Sequence, residues 1–325
     1  MSIAMEEVSM LARVARFLKA NPTVPLTILL LVLVGLLEAL RPGIVNDRWV
    51  SNTIRFATPL AMLAACQTLT MLTGGIDLSV GVVATITGYV LATQAPLVGV
   101  PMATLIALIP ALTIGLVNGF GVAICRVHPL IMTLGTGLIA TGCLQVYQRA
   151  VIATGVQIPD LWVWFGSGRT GSFPNALFLF VPFAALIVLG QRRTGFGRLL
   201  YAIGSNERAA RLSGVHPWQV YFLLYALSGL IAGLAGFLDL GLIKTASLSL
   251  AMPLVLPSVA AAVIGGTSIF GGRGGYGGTM IGALILTILG TLLTLLQMPE
   301  GARRMVFGLI ILAVTALYAR LTDQT

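Results

Sequence analysis

The feature that most constrains this chain is a series of apolar runs, each about 17 to 25 residues long, that recurs along its whole length. A helix of that length crosses about 30 Å of hydrocarbon. Because 57% of the residues are hydrophobic and only 9% are charged, a soluble core could not hide them all. The runs also lack the alternation of apolar and polar residues seen in membrane β-strands. The sequence therefore predicts an all-α polytopic membrane protein.

The pattern predicts about ten transmembrane helices in a single domain over residues 24–321, preceded by a cytoplasmic segment over 1–23. That segment carries basic residues ahead of the first apolar run, as a secretory signal peptide would. We favour a retained first span, because 38-EALRPG-43 offers no good small-residue cleavage site. The predicted spans are 24–40, 53–73, 78–96, 100–124, 129–148, 175–190, 218–240, 253–270, 276–297 and 304–321.

The basic residues predict the orientation in the membrane. The net charge is +9, and the basic residues are scattered among the connections beside the spans. This distribution suits contact with lipid headgroups better than binding of a nucleic acid. Five arginines fall within 191–217, so the positive-inside rule makes this the longest cytoplasmic loop and leaves both termini in the cytoplasm. The connection over 149–175 contains Trp162 and Trp164, and we expect it outside with its aromatic residues at headgroup depth.

The segment 73-TGGIDLSVG-81 interrupts the apolar pattern with a glycine pair and an acid. Irregular backbone survives at membrane depth only where it is buried in protein or lines a cavity. We therefore predict that Gly74 and Gly75 line a translocation pathway. Asp77 and Ser79 follow at once, and either could cap the next helix. Because a carboxylate inside a membrane is costly, Asp77 is interpreted as a structural lock or as a direct contact of the pathway.

A second glycine-rich segment, 264-IGGTSIFGGRGGYGGTMIGALI-285, repeats the interruption in the other half of the chain. Discontinuous segments in two halves of a membrane protein point to a pathway between them, so Gly265, Gly266 and Thr267 join the predicted pathway. Close helix packing explains isolated glycines such as Gly229, but it does not explain the glycine pairs. The predicted fold accordingly has discontinuous helices near 73–79 and 265–278.

The sequence 204-GSNERAARLSGVHP-217 predicts a short helix inside the basic loop. Ser205 or Asn206 supplies an N-cap, Glu207 complements the positive start of the helix, and Gly214 supplies a left-handed stop. A helix of about seven residues is marginal in water on its own. We therefore expect it to dock against a second protein.

Three ordered motifs resemble the permease subunits of ATP-binding cassette sugar importers, in the form of the ribose-type monosaccharide permeases. They are TGGIDLSVG at 73–81, YAIGSNERAARLSGV at 201–215 and GGTSIFGGRGG at 265–275, and the similarity runs from about residue 50 to 320. The resemblance implies a bacterial inner-membrane complex with a second permease copy or paralogue, two cytoplasmic ATPase subunits and a periplasmic sugar-binding protein. It also implies that ATP and Mg²⁺ bind the ATPase subunits, and that this chain binds no cofactor.

By the same resemblance, residues 205–213 are a coupling helix that seats in a groove of the ATPase. Glu207 and Arg211 would make polar contacts there, and Ala209 and Ala210 would permit close packing. Arg208 replaces the first alanine of the strict EAA form of this loop, which leaves the contact at that position open. The expected ATPase-coupling residues are Ser205, Asn206, Glu207, Arg208, Ala209, Ala210, Arg211 and Gly214.

The residues themselves give little support to an enzyme. The two lysines are not preceded by the glycines of a G-x-x-x-x-G-K-[ST] loop, so ATP hydrolysis of the P-loop kind is expected elsewhere. Cys66, Cys125 and Cys143 lie in apolar runs without metal-ligand spacing, and we expect neither a metal site nor a catalytic residue. A self-sufficient secondary transporter or channel is the alternative, although ion coupling would need more intramembrane charges than Asp77. The solute could be a pentose, a hexose or a sugar alcohol.

Overall fold

The computed structural model describes residues 23–151 and 155–322, and the predicted N-terminal segment lies outside them except for its last residue. Within the described residues the chain forms twelve α-helices and one two-stranded antiparallel hairpin. The all-α class predicted from the sequence is confirmed. The elements are α1 Thr23–Leu40, α2 Asp47–Met71, α3 Val80–Val98, α4 Val100–Ala123, α5 Pro129–Val151, α6 Asp160–Ser167, β1 Arg169–Thr170, β2 Phe173–Pro174, α7 Ala176–Arg193, α8 Gly195–Leu212, α9 Pro217–Ile243, α10 Val255–Ile264, α11 Tyr276–Leu295 and α12 Glu300–Thr322, with a 3₁₀ turn at Met252–Leu254.

Each of the ten predicted spans overlaps a helix. Among the described residues, seven helices are long and apolar enough to cross a membrane by length and composition: α1, α3, α4, α5, α7, α9 and α11. The span predicted over 253–270 is wrong in its length. Helix α10 ends at Ile264, because Gly266 takes a left-handed φ of 87° that a regular helix cannot continue through.

Helix α9 lies at the centre of the fold and packs against α2, α3, α4 and α6. Small residues allow this close approach. A methyl group added at Gly233 would lie 3.1 Å from the Leu108 side chain and 3.2 Å from that of Ala111. Gly229 and Gly236 stand against the backbone of α4 and α3 in the same way. The close packing predicted for the glycines of this span is confirmed.

Apolar side chains cover the outward faces of several helices. Leu105 of α4, Leu138 of α5 and Leu186 of α7 are 63%, 68% and 69% exposed. Exposed leucines in this number would be unfavourable in water, but in a polytopic membrane protein they face hydrocarbon. The outward faces therefore agree with the membrane class predicted from composition.

The connection over 149–175 contains regular structure of its own. Helix α6 lies in it and buries Trp162 against Phe237 of α9, with the ring centroids 4.8 Å apart. Trp164 is exposed and stacks on Phe178 at the start of α7. These aromatic contacts fasten the connection to the ends of two long helices. The side of the membrane on which it lies stays a prediction.

Candidate functional site

The first glycine pair lies in the connection between α2 and α3, residues 72–79. Gly74 has a left-handed φ of 78°, a conformation that glycine adopts at little cost. A methyl group at Gly75 would lie 3.0 Å from the Tyr225 hydroxyl and 3.1 Å from the Pro129 side chain. The connection is therefore irregular backbone packed inside the protein. The discontinuity predicted near 73–79 is confirmed, and its place in a translocation pathway stays a prediction.

Asp77 is the acid at the centre of this connection and is 2% exposed. Its Oδ1 accepts hydrogen bonds from the Ser79 amide at 3.0 Å and the Ser79 hydroxyl at 2.6 Å, and its Oδ2 accepts one from the Ser228 hydroxyl at 2.7 Å. Of the two predicted helix caps, Ser79 makes no side-chain cap bond to helix α3, which begins at Val80. Asp77 does act as a cap, because its carboxylate accepts the Ser79 amide directly before that helix. Asp77 also joins the connection to α9.

Two further side chains hold the backbone on either side of Asp77. Gln67 of α2 donates from Nε2 to the Asp77 carbonyl at 2.7 Å and accepts from the Asp77 amide at 3.2 Å. Thr133 of α5 donates to the Ile76 carbonyl at 3.1 Å and accepts from the Leu78 amide at 3.0 Å. Gln67 and Thr133 thus satisfy backbone groups that have no partner within a helix.

Ser79 extends this network to one more helix. Its hydroxyl accepts a hydrogen bond of 2.9 Å from Asn118 Nδ2 of α4, and Asn118 Oδ1 accepts one of 2.6 Å from the Thr136 hydroxyl of α5. All three side chains are buried. Helices α2, α4, α5 and α9 are therefore attached to one connection through polar side chains.

Sequence reasoning found Asp77 and Ser79 but missed their partners Asn118, Thr133 and Ser228. Each of these is a polar residue within a largely apolar helix, which was the available signal. The pairing itself had no such signal, because Asp77 and Ser228 are 151 residues apart in the chain.

The second glycine-rich connection joins α10 to α11. Gly265 stands against the α11 backbone at Thr279, where a side chain would not fit. Gly266 faces open space, since a methyl group there would have nothing within 4 Å. The Thr267 hydroxyl lies 3.5 Å from that of Thr279, which lies 2.7 Å from the Thr68 hydroxyl of α2. The second connection is thereby linked to the helix that leads into the first.

The two connections contact each other and also contact helix α8. The Gly272 amide donates a hydrogen bond of 3.0 Å to the Leu72 carbonyl. Gly204 of α8 lies against both groups, so that a methyl group there would be 2.6 Å from the Gly272 nitrogen and would overlap the Leu72 carbonyl. Tyr201, one turn earlier in α8, donates to the Gly274 carbonyl at 2.8 Å. We call the contact of Leu72, Gly204 and Gly272 the three-way junction.

Helix α8 bends at Asn206, whose φ of −164° and ψ of 100° are not helical. The Asn206 side chain accepts a hydrogen bond of 3.0 Å from the Ala209 amide and so caps the short helix 207–212. Gly214 follows with a left-handed φ of 85°. The predicted short helix, its cap at Asn206 and its glycine stop are confirmed, whereas Ser205 belongs to the preceding helical segment.

One face of helix 207–212 is held against the protein. Glu207 forms an ion pair with Arg211 and accepts a hydrogen bond of 3.1 Å from the Tyr221 hydroxyl of α9. Ala210 is 7% exposed and belongs to the chain's own core. These contacts fix the orientation of the helix before any partner binds.

The other face of helix 207–212 is open. Arg208, Ala209 and Leu212 are exposed on it, and Leu212 is 83% exposed. Because Ala210 packs inward, Ala209 alone of the two alanines is available for close packing on a partner. The ATPase contacts of residues 205–214 stay a prediction.

A cavity of about 900 Å³ opens beside this helix, next to the connection between α4 and α5. Its charged and titratable lining residues are Arg126, His128, Glu207, Arg211, His216 and Tyr221. His128 lies directly before Pro129, which starts α5, and His216 lies directly before Pro217, which starts α9. Across the described residues, no three His, Cys, Asp or Glu side chains are grouped so that they could hold a metal ion.

The fold and the site define an all-α polytopic membrane protein whose two buried connections adjoin an exposed helix. The chain belongs to the family described as branched-chain amino acid transport system / permease component, whose model matches residues 49–315. This family match covers the residues of both connections and of the exposed helix.

Several curated relatives have similar length. The chain is 37% identical to the ribose import permease protein RbsC of Escherichia coli strain K12 over 91% of this chain and 92% of that protein. It is 36% identical to the galactofuranose transporter permease protein YtfT of the same strain, over 79% of this chain and 76% of that protein. It is 31% identical to the fructose import permease protein FruF of Bifidobacterium longum, over 83% of this chain and 80% of that protein. The resemblance to sugar permeases is confirmed, and no solved structure matches the chain.

Proposed function

We propose that this chain is the transmembrane permease subunit of an ATP-binding cassette importer for a monosaccharide, which is a pentose, a hexose or a sugar alcohol. Relatives that match it over most of their length are named for the import of ribose or fructose or for the transport of galactofuranose. The observation that carries the proposal is the exposed helix 207–212, which follows directly from the three-way junction.

Helix 207–212 is the point at which an ATPase would act on the membrane domain. Leu212 presents an apolar side chain that this chain does not bury, and a helix this short needs a docking surface. Gly204 lies two residues before the bend at Asn206 and touches both glycine-rich connections. A displacement of the helix would reach both connections through direct backbone contact and shift them between two packings.

The proposed pathway runs between the two connections. A neutral sugar needs hydroxyl and backbone partners rather than charges, and Gly266 faces open space beside Thr267. Asp77 and Ser79 are buried and hydrogen-bonded to protein groups, which favours the role of a lock over direct contact with the sugar. The other proposed pathway residues, Gly74, Gly75 and Gly265, would act through their backbone conformation and close packing.

The proposal assigns the chemistry to other subunits. Two cytoplasmic ATPase subunits would bind ATP and Mg²⁺, a periplasmic binding protein would deliver the sugar, and a second permease copy or paralogue would complete the pathway. This chain would bind no cofactor and catalyse no reaction. The arginines of 191–217 support a bacterial inner-membrane protein with this connection and both termini in the cytoplasm.

The variant Leu212→Glu tests the proposal, because Leu212 is 83% exposed and is not part of the ion pair or the core contacts of its helix. Its matched control is Phe173→Glu, an exposed apolar residue at the opposite end of α7 from the 191–217 connection. The tagged chain is purified from its native membrane and reconstituted in nanodiscs. We expect Leu212→Glu to lose a co-purified ATPase subunit and its activity, and Phe173→Glu to keep both.

A chain that purifies without an ATPase and moves solute without ATP would overturn the proposal. It would then be a secondary transporter or a channel. Equal recovery of the ATPase with Leu212→Glu and with the native chain would remove helix 207–212 as the docking element.

A further inference from the structure

A groove of about 640 Å³ lies between α7 and α9, and the first turns of α8 also line it. Its volume falls within the range of about 300–1,000 Å³ that is usual for ligand pockets. Its walls include Leu186 and Leu189 of α7 and Leu223 of α9, which are 69%, 54% and 48% exposed. Because these walls belong to membrane-spanning helices, the groove opens into hydrocarbon rather than into water.

The deep part of the groove reaches the elements of the three-way junction. Leu69 of α2 and Leu200 of α8 line it and are 4% and 0% exposed. Leu69 lies three residues before Leu72, and Leu200 lies four residues before Gly204. A ligand in the groove would therefore pack against two of the helices that meet at the junction.

The groove exposes almost only apolar surface, and exposed arginines lie at one end of it. Arg193 and Thr194 line this end, and Arg192 and Arg198 are exposed close by in the chain. The arginines make this end of the groove suited to an anionic group.

We propose that the groove binds a phospholipid with an anionic headgroup. An acyl chain lies along the leucine walls, and the phosphate lies at the arginine end. Arginine pairs well with phosphate, and a net negative headgroup adds attraction that a zwitterionic headgroup lacks.

The bound lipid has a structural consequence for α8. Its acyl chain fills the space between α7 and α9 and supports Leu200 from the membrane side. Filling an apolar cavity beside a packed helix gives the side chains that line it neighbouring atoms to pack against, and this stabilises the helix. The lipid is therefore a structural ligand of the helix that carries the exposed segment 207–212.

Native mass spectrometry of the full chain tests this proposal without reference to transport. The protein is equilibrated in nanodiscs of equal phosphatidylglycerol and phosphatidylcholine and then released with its retained lipids. We expect the native chain to retain phosphatidylglycerol selectively. The variant Arg192→Gln with Arg193→Gln and Arg198→Gln should retain about tenfold less. The control variant carries Arg41→Gln, Arg48→Gln and Arg149→Gln, three exposed arginines elsewhere in the chain, and should retain the native amount.

A second variant separates the acyl site from the headgroup site. Leu186→Trp replaces a leucine on an exposed wall of the groove with a bulkier side chain and leaves the arginines in place. We expect it to lower phosphatidylglycerol retention while the protein stays folded by circular dichroism. Equal retention of both lipids by the native chain, or equal retention by the arginine variant and its control, would overturn the proposal. So would a second protein copy found cross-linked into the groove at Leu186→Cys.

Discussion

The amide of Gly272 donates a hydrogen bond of 3.0 Å to the carbonyl of Leu72, and this bond joins the two glycine-rich connections of the chain. Backbone groups at membrane depth need partners within the protein, and here each connection supplies a partner to the other. Gly204 packs against the bond with no side chain of its own. The exposed helix 207–212 is thereby attached to both connections through a residue two positions ahead of its cap.

Gly204→Ala should disrupt the three-way junction. Its methyl group would lie 2.6 Å from the Gly272 nitrogen and overlap the Leu72 carbonyl, and neither backbone group can move freely. We expect a loss of about 1–3 kcal/mol in the free energy of unfolding, measured by denaturation in detergent. Gly195→Ala at the start of the same helix is the control, since a methyl group there meets nothing within 4 Å. An unchanged midpoint for Gly204→Ala would contradict the junction.

Asp77→Ala should destabilise the first connection. The change removes the acceptor of the Ser79 and Ser228 hydroxyls, which are buried and would be left unsatisfied. Each unsatisfied group costs about 1–3 kcal/mol, so the thermal midpoint should fall clearly below that of Ser228→Ala. Asp160→Ala removes an exposed acid from α6 and should leave the midpoint unchanged. Equal midpoints for the Asp77 and Asp160 variants would show that Asp77 does not hold the connection.

Gly75 and Tyr225 should be coupled in a double-mutant cycle. A methyl group at Gly75 would press on the Tyr225 hydroxyl at 3.0 Å, and that hydroxyl is buried without a hydrogen-bond partner among the described residues. Tyr225→Phe alone should therefore be nearly neutral in stability. Gly75→Ala alone should lower stability, and Tyr225→Phe should restore part of the loss, with an interaction energy of about 0.5 kcal/mol or more. Strict additivity of the two changes would refute this contact.

Tyr221→Phe should loosen the exposed helix without unfolding the chain. It removes the hydrogen bond from the Tyr221 hydroxyl to Glu207, a contribution of about 0.5–1.5 kcal/mol at a half-buried position. The readout is hydrogen exchange of the amides of helix 207–212, which should become faster. Tyr147→Phe is the control, because it loses hydrogen bonds to Thr93 and Gln94 elsewhere in the fold. Exchange in 207–212 that is equally fast in both variants would argue against the role of Tyr221.

Local patterns were sufficient for much of the architecture. Apolar length predicted the positions of ten helices, and the short helix 207–212 followed from a cap at Asn206 and a stop at Gly214. These signals act between residues a few positions apart, so they can be read along the chain. The contact between Asp77 and Ser228 has no such local signal. The Asp77 carboxylate accepts the nearby Ser79 amide and hydroxyl at Oδ1 and the distant Ser228 hydroxyl at Oδ2.

The sequence by itself determined the all-α membrane class, the places where regular helix must stop, and the existence of an exposed helix in the 191–217 connection. Only the tertiary structure decided that Asp77 meets Ser228 and that Leu72, Gly204 and Gly272 come together. The physical reason is that apolar helices in hydrocarbon gain nothing from mere burial against one another. Their faces are chosen by close packing of small residues and by polar groups that find partners, and both depend on residues far apart in the chain.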